Sequence, residues 1–283
     1  MQPTASTATP AATPNVPRRT DTGRSGVAFG WAVFRYLRTM VPVVLLWQLL
    51  ALAVGNPAVL PPPLEVARGL VDLVSSGELA TGVLASLGRL AVAYGLAVLV
   101  CVPLGVLLGA STLARDLVDP VVELLRPISG IAWIPLALIL FGIGNELVVF
   151  IIFYGAAFPL VLNTVDGVRQ MDRSLTAAAY TFGLNRVNRL VHVTLPAALP
   201  TILVGCRIAM GTAWMSLIAA ELVGAPTGIG FSVEWYRELL MTPKMIASVL
   251  VIGLLGFLSD LLLRTLIRSL TPWAVDVRQG GAR

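Results

Sequence analysis

The chain has 283 residues, of which 57% are hydrophobic and only 12% charged, and its mean hydropathy is +0.85. Ordinary soluble domains carry about 25% charged residues, so this composition excludes a water-soluble globular protein and places the chain in a bilayer. The net charge of +5 is a signature of membrane topology, and nucleic acid is not an expected partner.

Residues 1–28 are rich in Ala, Thr, Pro and Arg and offer almost no large apolar side chain to bury. They predict a disordered N-terminal tail. A cleaved signal peptide would carry its apolar region close behind a short basic start, whereas here roughly forty residues precede the first apolar run. Apolar runs over 41–54, 90–108, 131–143, 147–165, 202–222 and 245–263 then predict six transmembrane helices, because about 20 residues cross 30 Å of hydrocarbon. The expected product is an all-α polytopic membrane protein, with a transmembrane domain over 29–272 and a short tail over 273–283.

The third run is unlike the others. Pro127 and Pro135 interrupt it, and Asp119, Glu123 and Arg126 crowd its start. A helix broken at membrane depth has to be covered by protein or line a cavity. Arg126 and Glu123 read as a local pair at its inner end.

Lys and Arg in short loops stay on the cytoplasmic side. With the N-terminus inside, the inner segments hold Arg18, Arg19, Arg24, Arg35, Arg38, Arg115, Arg126, Arg169, Arg173, Arg186, Arg189, Arg264, Arg268, Arg278 and Arg283. The outer loops keep only Arg68, Arg89, Arg237 and Lys244. Both termini and the stretch 177–200 are thereby expected in the cytoplasm, and the protein is expected to be multi-pass in the bacterial plasma membrane.

Several chemistries are absent. Lys244 is the only lysine and follows Pro243, so no phosphate-cradling loop with its lysine exists on this chain. Any ATP must be handled by another polypeptide. His192 is the only histidine, which excludes His-rich zinc sites and a His-based catalytic network. No catalytic or metal-ligating residue is expected. Cys101 and Cys206 fall within apolar runs and read as buried free thiols.

Between the fourth and fifth runs lies the polar, arginine-bearing stretch AAAYTFGLNRVNRLVHVTLPAALP, residues 177–200. Asp172 or Ser174 can cap a short helix through Ala177, Ala178 and Ala179. Gly183 can close it in a left-handed conformation. Leu184, Val187, Val191 and Leu195 then recur at helical spacing, and Pro196 and Pro200 close the segment. Periodicity alone leaves two readings open, an amphipathic segment lying on lipid or a dock for a soluble partner.

The spacing resembles the cytoplasmic signature of ABC importer transmembrane subunits, Glu-Ala-Ala, three residues, Gly, nine residues, Ile, any residue, Leu-Pro. Ala178, Ala179, Gly183, Leu195 and Pro196 match it, Val193 replaces the isoleucine, and Ala177 stands where the family has glutamate. The wider resemblance, over about residues 41–269, is to permeases for nitrate, aliphatic sulfonates and taurine. It is carried by PPPLEV at 61–66, LLRPISGIAWIPLALILFGIG at 124–144 and AWMSLIAAELVGAPTGIG at 213–230.

The resemblance implies a coupling helix between spans four and five that docks into an ATPase subunit, with Ala178, Ala179, Gly183, Arg186, Arg189, Leu195 and Pro196 as its candidate coupling residues. It implies ABC ATPase subunits that hold ATP and Mg, an external solute-binding protein, and a second permease copy, expected to form a homodimer. The expected solute is a small organic or inorganic anion such as an aliphatic sulfonate, taurine or nitrate. A vitamin or pyrimidine precursor is the alternative within the family. An ATP-independent secondary transporter would need proton-relay carboxylates or matched broken helices in repeats, which the sequence does not display.

Trp133, Arg207, Trp214 and Glu221 are the candidate pathway residues, each with a simpler alternative: packing or interfacial anchoring for the tryptophans, snorkelling for Arg207, and capping or solvation for Glu221. Asp260 needs an internal partner or water. Gly205, Ala209 and Ala213 lie four apart, the spacing of close helix contact in lipid, either between subunits or within one.

Overall fold

A computed structural model describes the backbone of residues 25–171 and 173–271, and side chains from Arg38 onward except those of Thr39, Asp172, Arg173, Thr176 and Arg186. The expected tails at 1–24 and 273–283 lie outside the described residues. Eleven helices, no strand and two short helical turns make up the described residues. The chain divides into two compact units, residues 1–50 and 51–283.

The helix α1, Ser25–Val54, starts within the segment assigned to the tail. Its described apolar portion, Met40–Val54, is shorter than the other spans, and Val41, Val43, Leu45, Leu46 and Leu49 on it are exposed.

In the second unit the helices are α2 (Pro63–Ser75), α3 (Glu78–Ala110), α4 (Thr112–Leu125), α5 (Ile134–Phe141), α6 (Asn145–Arg169), α7 (Arg173–Thr181), α8 (Arg186–Arg189), α9 (Leu195–Gly224), α10 (Ile229–Glu238) and α11 (Thr242–Leu270). Four stretches are long and apolar enough to cross a membrane: 78–110, 145–169, 187–224 and 242–270. A bent pair, Thr112–Leu125 with Gly130–Phe141, makes a fifth if counted as one span.

Here the structure differs from the sequence expectation. The run at 131–143 is not a straight span but the second arm of this pair, which turns through 83°. Arg126 is still helical, its N–H donating to the Val122 carbonyl at 2.9 Å, but Pro127 has no N–H to continue the pattern, so α4 stops at Leu125. A 3₁₀ turn at Gly130–Trp133, with the Ile131 N–H donating to Ser129 Oγ at 3.4 Å, redirects the chain. Pro135 is then tolerated in the first turn of α5.

The core is α6 packed between α3 and α9. Leu147, Val148, Ile151, Ile152, Ala156 and Leu160 of α6 are fully buried. Association in lipid depends on close packing, since lipid tails are as apolar as leucine, and small residues supply it. A Cβ on Gly105 of α3 would lie 2.6 Å from Thr164 Cβ, and one on Gly205 of α9 would lie 2.5 Å from Asn163 Cβ. The Gly205, Ala209, Ala213 stripe therefore packs against α6 of the same chain, which settles the choice its spacing left open.

Thr164 sits in that contact fully buried, and its hydroxyl has no hydrogen-bond partner among the described residues. Thr164→Val keeps the shape and removes the orphaned group, for an expected gain of about 1 kcal/mol. The check is the thermal unfolding midpoint of the detergent-solubilised protein, which should rise. A fall would mean that the hydroxyl is satisfied in the folded protein.

At one end of the bundle α2, α10 and the starts of α3 and α11 pack together. Tyr236 of α10 donates a short hydrogen bond to Glu78 of α3, and Thr242 Oγ1 donates to the Ala58 carbonyl at 2.6 Å. Neither α2 nor α10 was expected as a helix. Both are shorter than a membrane crossing, so neither stands out as a spanning apolar run.

Candidate functional site

The segment from Arg173 to Pro200 is built as a helix, a tight turn and a second helix. Gly183 has φ +71°, the Leu184 N–H donates to the Ala179 carbonyl at 3.1 Å and the Gly183 N–H to the Tyr180 carbonyl at 2.9 Å. This pair of bonds with a left-handed glycine is the Schellman closure. The next helix is capped by Asn185, whose Oδ1 accepts from the Asn188 N–H at 2.8 Å.

Ala179 is buried and Ala178 is exposed, as is Ala177, at the position of the family glutamate. Arg189 lies with its guanidinium carbon 4.5 Å from the Tyr180 ring centroid, a cation–π contact that ties the two helices. The backbone of Arg186 opens α8; its side chain lies outside the described residues. Val187, Val191, Tyr180 and Phe182 are exposed, leaving an apolar surface beside the arginine.

Pro196 and Pro200 do not end this segment. Leu195 begins α9, Pro196 occupies its first turn and Pro200 lies inside it. A π turn at Leu190–Thr194, in which the Leu195 N–H donates to the Leu190 carbonyl, carries the chain into the span without a break. Shifting the hydrogen-bond pattern just before Pro196 accommodates a residue that has no N–H to give.

A cavity of about 730 Å³ lies where the α4–α5 bend meets α6 and α9. Tyr154, Phe158, Asn163 and Asp166 line it from α6, and Ile208, Thr212, Met215 and Ser216 from α9. From Tyr154 to Asp166 is roughly 18 Å along the helix, so the cavity is an elongated groove. Arg126, Ser129, Gly130 and Ile131 at the bend complete it.

None of the four expected pathway residues lines this groove. Trp133 stands behind it, its ring centroid 5.7 Å from that of Tyr154. Trp214 is buried in the core. Arg207 pairs through Nε with Asp260 Oδ1 at 2.7 Å, and Arg264 pairs with the same carboxylate at 2.5 Å, which supplies the partner Asp260 required.

Glu221 is completely buried. Its carboxylate accepts from Arg89 Nη1 at 2.7 Å, from Ser86 Oγ at 2.8 Å and from the Gly230 N–H at 3.0 Å. Arg89 also donates to Asn145 Oδ1 at 2.7 Å, to the Thr227 carbonyl at 2.6 Å and to Thr227 Oγ1 at 2.7 Å. Gly228, at φ +122°, passes so close that an added Cβ would lie 2.4 Å from Glu221 Oε1. The cluster thus joins α3, α6, α9 and the start of α10 through one ion pair.

The sequence reading missed this cluster. With the apolar run starting at Leu90, Arg89 reads as an outer-loop residue, whereas α3 begins at Glu78 and Arg89 lies within it. The available signal is one cation and one acid beside the ends of two apolar runs, an arrangement that in a membrane calls for pairing. The expected pair of Arg126 with Glu123 is also corrected: among the described residues no ion pair or hydrogen bond engages the Arg126 side chain.

Residues 101–272 match the family described as the inner membrane component of binding-protein-dependent transport systems. The chain belongs to this family. It is 37% identical over 237 residues to the taurine transport system permease protein of Escherichia coli K12, covering 82% of this chain and 86% of that one. It is 32% identical to a putative aliphatic sulfonates transport permease protein of Bacillus subtilis 168, over 87% of this chain and 88% of that one. It is 30% identical to the nitrate import permease protein of Leptolyngbya laminosa, over 92% and 96% of the two chains.

Its fold is that of a chain in inward-facing structures of the MetNI methionine ABC transporter, with a TM-score of 0.60 at 22% identity, covering 68% of this chain and 95% of that one. The protein is thus a membrane-embedded permease subunit of an ABC importer, a transport component rather than an enzyme. Membership implies an ATPase partner and a solute-binding protein.

Proposed function

We propose that this permease carries a small anion of the sulfonate, taurine or nitrate type by alternating access, and that two copies form the pathway. The observation that carries the solute class is that relatives named for taurine, aliphatic sulfonates and nitrate align over 82%, 87% and 92% of the chain. Ile208 and Met215 line the groove yet are exposed in the single chain, and a second copy packed there would close it.

Both termini and the Arg173–Pro200 segment face the cytoplasm in this reading, which follows from the arginine distribution. The ATPase subunit binds ATP and Mg, and its groove receives the exposed apolar surface around Tyr180, Phe182 and Val187. Ala178, Ala179, Gly183, Arg186, Arg189, Leu195 and Pro196 form or shape the docked surface. Supporting this are the Schellman turn at Gly183 and the continuity of the segment with α9.

The test is uptake into proteoliposomes holding the permease, its ATPase and the cognate binding protein, with taurine, ethanesulfonate and nitrate as labelled probes. ATP-dependent accumulation of at least one is expected. Accumulation of none of them, with the complex intact and hydrolysing ATP, would overturn the solute class.

A further inference from the structure

We infer that Arg126 is the anion-attracting residue of the translocation groove. The inference rests on the proposed anion transport and names the residue in this chain that meets the solute.

Depth is the first observation. The Tyr154 hydroxyl donates to the carbonyl of Leu125, the residue before Arg126, at 2.9 Å. An added Cβ on Gly130, just beyond Arg126, would lie 3.6 Å from the Ile151 carbonyl and 3.7 Å from Ser216 Oγ. Tyr154 lies about 14 Å from the Asn145 end of α6 and about 22 Å from its Arg169 end, at 1.5 Å per residue. The broken α4–α5 pair therefore holds Arg126 at the middle levels of the bundle.

The second observation is the state of the side chain. Arg126 lines the groove and is exposed, and no ion pair or hydrogen bond among the described residues engages it. Arg89, Arg207 and Arg264, on the spanning helices α3, α9 and α11, are matched by contrast, Arg89 by Glu221 and the other two by Asp260. An ionisable group at membrane depth that has no protein partner belongs in a wet cavity and marks an ion or solute path.

The third is the surroundings. Ser129, Thr212, Ser216 and Asn163 line the same groove. The Thr212 hydroxyl donates to the Ala209 carbonyl at 3.0 Å and one Asn163 amide proton to the Pro159 carbonyl at 2.8 Å. This leaves the hydroxyls of Ser129 and Ser216 and the second amide proton of Asn163 as neutral donors that can solvate an anion without competing for the guanidinium. The one carboxylate in the lining, Asp166, belongs to the last turn of α6, roughly 18 Å along that helix from Tyr154. An anion midway along the path would meet a positive charge, while the acid stands at the end.

The experiment compares Arg126→Gln, Arg126→Lys and Arg126→Cys in the reconstituted complex, with ethanesulfonate as the probe. Arg126→Gln should lower uptake roughly tenfold, the loss of one hydrogen bond to a charged group, and Arg126→Lys should retain most of it. In Arg126→Cys, a cationic methanethiosulfonate reagent should restore uptake and an anionic one should not. Cys101 and Cys206 are buried, and the unsubstituted protein controls for their reaction.

Wild-type uptake by Arg126→Gln, or rescue by either reagent regardless of charge, would overturn the role of Arg126 and leave the anion reading standing. Absence of anion uptake by the unsubstituted complex would overturn both. A variant that assembles poorly is judged by the charge dependence of the reagents on the Arg126→Cys complex, which compares one folded protein with itself.

Discussion

Arg89→Met and Glu221→Gln should each strip the permease of most of its stability, while the double substitution should cost far less than their sum. The ion pair is buried at both ends, with side-chain exposures of 6% and 0%. Removing one member of such a pair leaves an uncompensated charge away from water and typically costs about 3–5 kcal/mol. That is comparable to the whole stability of a marginal protein. Arg89→Met strands the carboxylate with only Ser86 and the Gly230 N–H, and Glu221→Gln strands the guanidinium with neutral acceptors.

The double variant removes both charges and keeps the Gln amide able to hydrogen bond. Its coupling energy should therefore exceed about 2 kcal/mol. Thermal unfolding of the four proteins in detergent reads this directly. Additive losses would show that the pair is a bystander and that α10 is held by its other bonds.

Gly183→Val should leave the permease folded and abolish its work with the ATPase. An added Cβ at Gly183 meets nothing within 4 Å, so no clash with the rest of the protein contributes. The whole effect comes from φ +71°, a conformation that costs an ordinary L-residue about 1–2 kcal/mol and a β-branched residue more. Opening the turn releases the bonds from Leu184 to Ala179 and from Gly183 to Tyr180, and with them the angle between α7 and the helix bearing Arg189.

Binding-protein-stimulated ATP hydrolysis and uptake should fall to background, with permease yield and unfolding midpoint nearly unchanged. Gly183→Asn, which tolerates the left-handed region, should retain much of the activity. Full activity in Gly183→Val would end the claim that this turn sets the docking geometry.

The long spans were legible in the sequence because uninterrupted apolar runs have few other fates, and Gly183 was legible because a glycine at the end of a short helical pattern has a defined conformational use. The bend at Arg126–Pro127 was visible as a break, but its 83° angle was not, since proline says where a helix stops and not where the chain goes next. Arg126 and Glu123 are close enough in sequence to invite pairing, and the break that turns Arg126 toward the groove is a tertiary matter. Trp133 and Trp214 show the opposite limit: type and depth suited a pathway, while packing beside Tyr154 and within the core keeps both out of the groove lining. Arg89 was misplaced by a single residue of the apolar pattern, because a charge reads as the end of a membrane run unless its buried partner is known.

The unbroken passage through Pro196 gives the permease a lever. From Val187 to Gly224 the chain forms a helical stretch of 38 residues, about 57 Å long, with the Arg189 surface at one end and Glu221 near the other. A tilt of about 5° about its Val187 end would carry the Gly224 end through about 5 Å, by the length just given. Because Glu221 accepts from the Gly230 N–H in the first turn of α10, a displacement entering at the Val187 end and carried along the helix would reach the far rim of the bundle as movement of a second helix.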